Sequence, residues 1–232
     1  MTDLELDPQD TAGAQPGGDG GRVGGGRLRT VAWAVIAVAL ALILATGGWL
    51  VGRHHPADGS VAPNAVDIGF ARDMSTHHTQ AVTMAGFVRD HTTDSAIRLL
   101  AFDIETHQEF QLGEMQGWLD NWHQTRTTSA DQMAWMNHSI PNGQPMPGIV
   151  SSTQLDTLES LSGKALDVDF LQLMIYHHQG GLQMAEYAAS HAKTDYVRDF
   201  ASRVAGAQSA EVVQMETLLR QRGASPIAPP TS

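Results

Sequence analysis

The stretch DIGFARDMSTHHTQAVTMA, residues 67–85, returns 100 positions later as DVDFLQLMIYHHQGGLQMA, residues 167–185. Extended outward, the match runs without a gap from Ala65/Ala165 to Leu119/Leu219, and fourteen of the 55 pairs are identical. Other pairs are conservative, such as Ile97/Val197, Ile104/Val204 and Phe87/Tyr187. Self-similarity at a fixed period marks duplication of one supersecondary unit.

Each unit reads as a helical hairpin. The first helix is predicted from about Asp67 to Arg89, and its copy from Asp167 to Ser190, with Asp67 and Asp167 suited to N-cap the first turn. The second helix is predicted from about Thr93 to Trp122, and its copy from Thr194 to Arg220. Within it Ala101, Ile104, Gln108, Leu112, Met115 and Leu119 recur at three- and four-residue steps, the spacing of a buried stripe. Gly223 and Pro226 end the last helix. Two such hairpins are expected to pack as an all-α four-helix bundle. The bundle spans 65–221, with repeat 1 at 65–122, a linker at 123–166 and repeat 2 at 167–221. The linker's middle, PNGQPMPG (141–148), is too rich in Pro and Gly to be regular. Ser152–Leu161 reads as a short helix stopped by Gly163, and residues 222–232 as a disordered tail.

Ahead of the bundle the chain changes character twice. Residues 1–29 are Gly- and Asp-rich and read as a disordered, cytoplasmic N-terminus. Residues 30–51, TVAWAVIAVALALILATGGWLV, carry no charge and are long enough for one transmembrane helix. Residues 52–64 then form a linker. Arg22, Arg27 and Arg29 precede the apolar run and only Arg53 follows closely, which places the N-terminus inside and the bundle outside the cytoplasm. The expected protein is a single-pass protein of the cell membrane with an extracytoplasmic domain. The competing reading is a secreted protein, released after cleavage near Ala45-Thr46-Gly47. The chain has no Cys, so an exported domain must hold together by packing alone. Its net charge of −11 argues against nucleic acid as a partner.

What duplication retained points to chemistry. Six of the fourteen identical pairs are His or Met, although these types make up only 11 and 10 of the 232 residues. The pairs are Met74/Met174, His77/His177, His78/His178, Met84/Met184, His91/His191 and Met115/Met215. Met74 lies three and four residues before His77 and His78, so the three share a helix face. His77, Met84 and His91 step by seven along one line. Imidazole with thioether selects Cu(I), and imidazole alone also suits Cu(II) or Zn. The candidate metal ligands are therefore His77, His78, His177, His178, Met74, Met174, Met84, Met184, His91 and His191.

Plainer readings stand beside these. A Met on a bundle stripe is commonly core filler, most of all Met115 and Met215. His91 and His191 fall at helix C-termini, where an imidazolium suits the dipole. His107 faces Ala207 and lies outside the repeated design. His54 and His55 form a pair after the apolar run, and Met133, Met136, His138 and Met146 in the linker offer a second, mobile site.

The pattern Asp-x-x-Phe-x-x-x-Met-x-x-His-His followed by Met-Ala, present at 67–85 and 167–185, resembles the family known as domain of unknown function 305. The segment MPGIVSSTQLDTLESLSGKALDVDF (146–170) is similar to that family's approach to its second unit. The resemblance covers about 65–221. It implies a ferritin-like fold and, from copper-binding extracytoplasmic members, metal handling at Met74, His77, His78, Met174, His177 and His178. The chain departs at Gly180-Gly181, which weaken a helix or allow close approach of the partner helix.

Three functions compete. The first is copper binding, buffering or tolerance, with no catalysis. The second is a structural or interaction bundle with a buried His network, with the protein partner unspecified and self-association left open. The third is a ferritin-like metalloenzyme, disfavoured because no Glu-x-x-His occurs and because Glu105 and Glu109 face Ala205 and Ser209. The chain is accordingly expected not to be an enzyme.

Overall fold

The computed structural model describes residues 61–141 and 143–230. The apolar run at 30–51, with His54 and His55, lies outside them. Among the described residues no helix is long and apolar enough to cross a membrane. The described chain is an all-α bundle of five α-helices. In order these are α1 (Ala65–His91), α2 (Ser95–Asn121), α3 (Ser152–Ser160), α4 (Gly163–His191) and α5 (Asp195–Gln221), with one 3₁₀ turn at Ala134–Met136.

The long helices form two hairpins, α1 with α2 and α4 with α5, joined by packing of α1 against α4. The two central helices run antiparallel. Phe70 and Met74, from the start of α1, share one apolar core with Met184 and Ala188, from the end of α4. Met84 and Val88 share the other with Phe170 and Met174. Each fully buried aliphatic or Met side chain contributes roughly 1.5–3 kcal/mol, so these two cores, not helix propensity, hold the hairpins together.

The helix starts differ from expectation, and the carboxylates explain why. Asn64, not Asp67, caps α1; its side chain accepts from Val66 N and Asp67 N, and the Asp67 carboxylate accepts in turn from Asn64 N. That leaves Asp67, which is fully buried, to reach the other hairpin. It accepts from the Thr194 hydroxyl at 2.6 Å and from the N–H groups of Lys193 and Thr194. Asp167 lies inside α4 and accepts from the Thr92 hydroxyl at 2.6 Å. Both aspartates therefore stitch one hairpin to the other's turn. Gly163 does not stop a helix; at φ +56° it is the first residue of α4.

The linker and tail are also more ordered than expected. Asp73 on α1 accepts from Met133 N and Trp135 Nε1, both at 2.8 Å, and Trp135 lies on Gly69, where any Cβ would collide with the ring. Met133 and Met146 are buried in the core with Met74, so they do not form a mobile site; His138 is exposed. The tail does not separate from the bundle: Ala224 and Ile227 pack on the core around Phe170, and Gln172 Nε2 donates to Ser225 O.

Candidate metal centre

A polar layer crosses the bundle between its two apolar cores. On α1, His77 and His78 sit between Met74 and Ala81. On α4, His177 and His178 sit between Met174 and Met184. All four histidines are 0 % exposed. The rings of His77 and His177 meet across the α1–α4 interface with centroids 3.8 Å apart, tilted by 33°. His78 and His178 turn toward the outer helices instead. His78 Nε2 lies 2.7 Å from Gln111 Oε1 on α2, and His178 Nε2 lies 2.6 Å from Glu211 Oε2 on α5.

The linker closes the layer. Its segment 146–150 runs over the central pair, where His77 Nε2 lies 3.2 Å from Pro147 O and His177 Nδ1 lies 3.0 Å from Gly148 O. Gln80 pins the same segment by donating to Val150 O and accepting from Val150 N. The two glycines in α4 are the cause of this fit. A Cβ on Gly180 would lie 2.1 Å from Pro147 O, and one on Gly181 would lie 3.1 Å from His77 Cε1. Close approach is thus their role, but chiefly to the linker and to side chains, not to a neighbouring helix backbone.

The hydrogen bonding sets the tautomers. Each imidazole faces an oxygen acceptor, so the facing nitrogen carries the hydrogen and the other keeps a lone pair. Those other nitrogens are His77 Nδ1, His78 Nδ1, His177 Nε2 and His178 Nδ1, and all four are buried with no hydrogen-bond partner. Burial keeps the rings of His77, His78 and His177 neutral. It lowers His77 to about 3 and His78 to about 4, and holds His177 well below the usual imidazole range. For His77 and His177 the neighbouring imidazoles add to the effect, while the carbonyl contacts oppose it. Each orphaned buried acceptor costs about 1–3 kcal/mol, which an apolar residue would not. Burial with one N–H tied to an oxygen and the other nitrogen bare is the usual preparation of a metal-ligating imidazole. Among the described residues no three His, Asp or Glu side chains already converge on one point. The donor set therefore fits an ion that takes few nitrogen ligands, or one whose binding turns the rings.

The remaining candidate ligands separate by place. Met74, Met174, Met84 and Met184 are all buried. With Met115 and Met215 they divide three and three, Met74, Met115 and Met184 in one core and Met84, Met174 and Met215 in the other. They border the histidine layer from both sides. His91 and His191 are not brought to it. They lie about 20 Å along the helices from the central pair, exposed, each bonded to a carbonyl four residues back and stacked on Phe87 or Tyr187. Gln111 and Glu211 escaped sequence reasoning because position 111/211 changed between the repeats; its place three residues after the retained Gln108/Gln208, on the same helix face, was the available signal.

A duplicated helical hairpin closed over a buried imidazole layer is the class that fold and site define. The chain belongs to the DUF305 family: the model described as domain of unknown function (DUF305) matches residues 67–219. A DUF305 protein of Streptomyces coelicolor is 40 % identical, with a TM-score of 0.65 over 70 % of this chain and 97 % of that one. A DUF305 fragment from Deinococcus radiodurans is 25 % identical, with a TM-score of 0.60 over 69 % and 99 %. CopM in its Cu(I)-bound form shares the fold at 24 % identity and a TM-score of 0.51, over 67 % and 96 %. No curated protein matches the chain.

Proposed function

We propose that this protein binds copper outside the cytoplasm, as a buffer or tolerance factor and not as an enzyme. The observation that carries the reading is the set of four buried imidazole nitrogens whose lone pairs meet no donor. A purely structural His network would use both nitrogens of each ring, and these rings use one. Borderline nitrogen donors beside thioether-filled cores suit Cu(I) first, with Cu(II) or Zn accommodated by the imidazoles. CopM, which shares the fold, has been solved with Cu(I), Cu(II) and Ag. The ferritin-like description of the bundle and the single membrane-spanning segment at 30–51 belong to this proposal as well. The span would place the site outside the cytoplasm.

The test is competitive titration of the purified chain with Cu(I), Cu(II) and Zn, alongside His77→Ala with His177→Ala. The expected outcome is a loss of copper affinity of at least about a hundredfold with helical content retained. Unchanged affinity in a folded double variant rules the proposal out.

A further inference from the structure

Two glutamines stand in the polar layer with no role yet assigned. Gln108 and Gln208 are each 3 % exposed, and neither the amide oxygen nor the amide nitrogen of either has a hydrogen-bond partner. They are also an identical pair of the repeat, within stripes whose other buried members are apolar. Buried side-chain amides are almost always paired in native proteins, and a Leu would fill much the same volume without the penalty. Stability therefore does not explain why both copies keep Gln.

Their placement does. The amide of Gln208 lies over Gly181: a Cβ there would sit 2.8 Å from Gln208 Oε1 and 3.1 Å from His77 Cε1. Amide and imidazole share one small space that the glycine keeps free. Gln208 is also one turn before Glu211, the residue that holds His178. Gln108 has the equivalent position, one turn before Gln111, which holds His78. Each outer helix thus presents to the histidine layer one residue that orients an imidazole and one amide with nothing to bind.

We propose that Gln108 and Gln208 are ligand-side residues whose amide oxygens complete the coordination of a divalent ion held by the buried imidazoles. The assignment rests on the metal-binding reading above. An amide oxygen is a harder donor than imidazole or thioether. Cu(I) is satisfied by nitrogen and sulfur, whereas Cu(II) accepts nitrogen and oxygen together. The glutamines then decide how well the site retains the oxidised ion.

The experiment uses the full chain in detergent, with Gln108→Leu and Gln208→Leu combined. Cu(II) and Cu(I) affinities, the Cu(II) electron paramagnetic resonance spectrum and the melting temperature of the metal-free protein are measured. Cu(II) affinity should fall at least about tenfold and the g and hyperfine values should shift, while Cu(I) affinity changes by less than about threefold. The metal-free variant should melt roughly 2–8 °C higher, because unpaired amides have left the core. An unchanged Cu(II) affinity and spectrum overturns the assignment, and so does a lowered melting temperature with an unchanged spectrum. Should the Leu pair not fold, Gln108→Asn with Gln208→Asn withdraws each oxygen by one methylene, and retention of wild-type Cu(II) binding there also overturns it. His77→Ala with His177→Ala, run in parallel, separates the two levels. Copper lost there but kept in the glutamine variant leaves the imidazole reading intact and removes only the glutamines; copper kept in the alanine pair removes both.

Discussion

Glu211 Oε2 lies 2.6 Å from His178 Nε2, where the first repeat sets the neutral Gln111 Oε1 at 2.7 Å from His78 Nε2. The geometry was duplicated and the charge was not. A carboxylate acceptor polarises the imidazole and makes its bare Nδ1 the stronger donor. Glu211→Gln is expected to weaken copper affinity by about tenfold, and Gln111→Glu to strengthen it. Competition against a chromophoric chelator reads both; identical affinities in the two variants and the wild type would show that the acceptor's charge is immaterial.

Stability should fall with acid from about pH 6.5 downward, where ordinary imidazoles begin to take up protons. Burial lowers His77 to about 3, His78 to about 4 and His177 well below its usual range. An unfolded chain protonates these residues near ~6.5. Above that pH both states are neutral and the groups contribute no slope. As pH falls from about 6.5 toward 4, the unfolded chain takes up protons that the folded one refuses. Each histidine then removes up to about 1.4 kcal/mol of stability per pH unit. Urea unfolding at pH 7.0, 5.5 and 4.5 should show this slope, and His77→Leu should reduce it. Proton competition for metal by the folded protein is correspondingly expected nearer pH 4 than pH 6, below the value that an ordinary imidazole implies.

The two glycine classes in the helices should respond oppositely to alanine. Gly180→Ala places a Cβ 2.1 Å from Pro147 O and must displace the linker from the histidine layer, at a cost on the order of 1–3 kcal/mol. A methyl on Gly206 in α5 would meet no heavy atom within 4 Å, so Gly206→Ala should stabilise by about 0.5–1 kcal/mol through helix propensity. Thermal unfolding of the two variants distinguishes them, and equal shifts would mean that the linker does not lie against α4.

Removal of Asp67 should loosen one hairpin from the other. Asp67→Ala leaves the Thr194 hydroxyl and the N–H groups of Lys193 and Thr194 without their acceptor. Bonds to a charged group are worth about 1.5–3 kcal/mol, so a loss of about 3 kcal/mol is expected in chemical denaturation. Asp167→Ala, which frees the Thr92 hydroxyl, should cost less. Hydrogen exchange at Lys193 and Thr194 should accelerate in the first variant and not in the second.

Much of the bundle is legible in the linear chain. The repeat, the four long helices and the histidine positions follow from a period of 100 and from helical spacing, and neither depends on which segments meet in space. Helix ends are less legible, because an aspartate near a helix start reads as a cap from either of two positions. The choice between Asn64 and Asp67 depends on Thr194, 127 residues from Asp67.

By itself the sequence determined that one hairpin was made twice, and that His77/His177 and His78/His178 were retained in both copies. Periodicity and identity need no third dimension. Only the tertiary structure decided which donors share a layer. It sent the methionines to two flanking cores and left His91 and His191 at exposed helix ends. It also set Gln111 and Glu211 behind His78 and His178, and drew Pro147 and Gly148 over the central pair. Those relationships depend on the antiparallel crossing of α1 and α4 and on the path of an irregular linker, and contacts between distant segments leave no periodic trace along the chain.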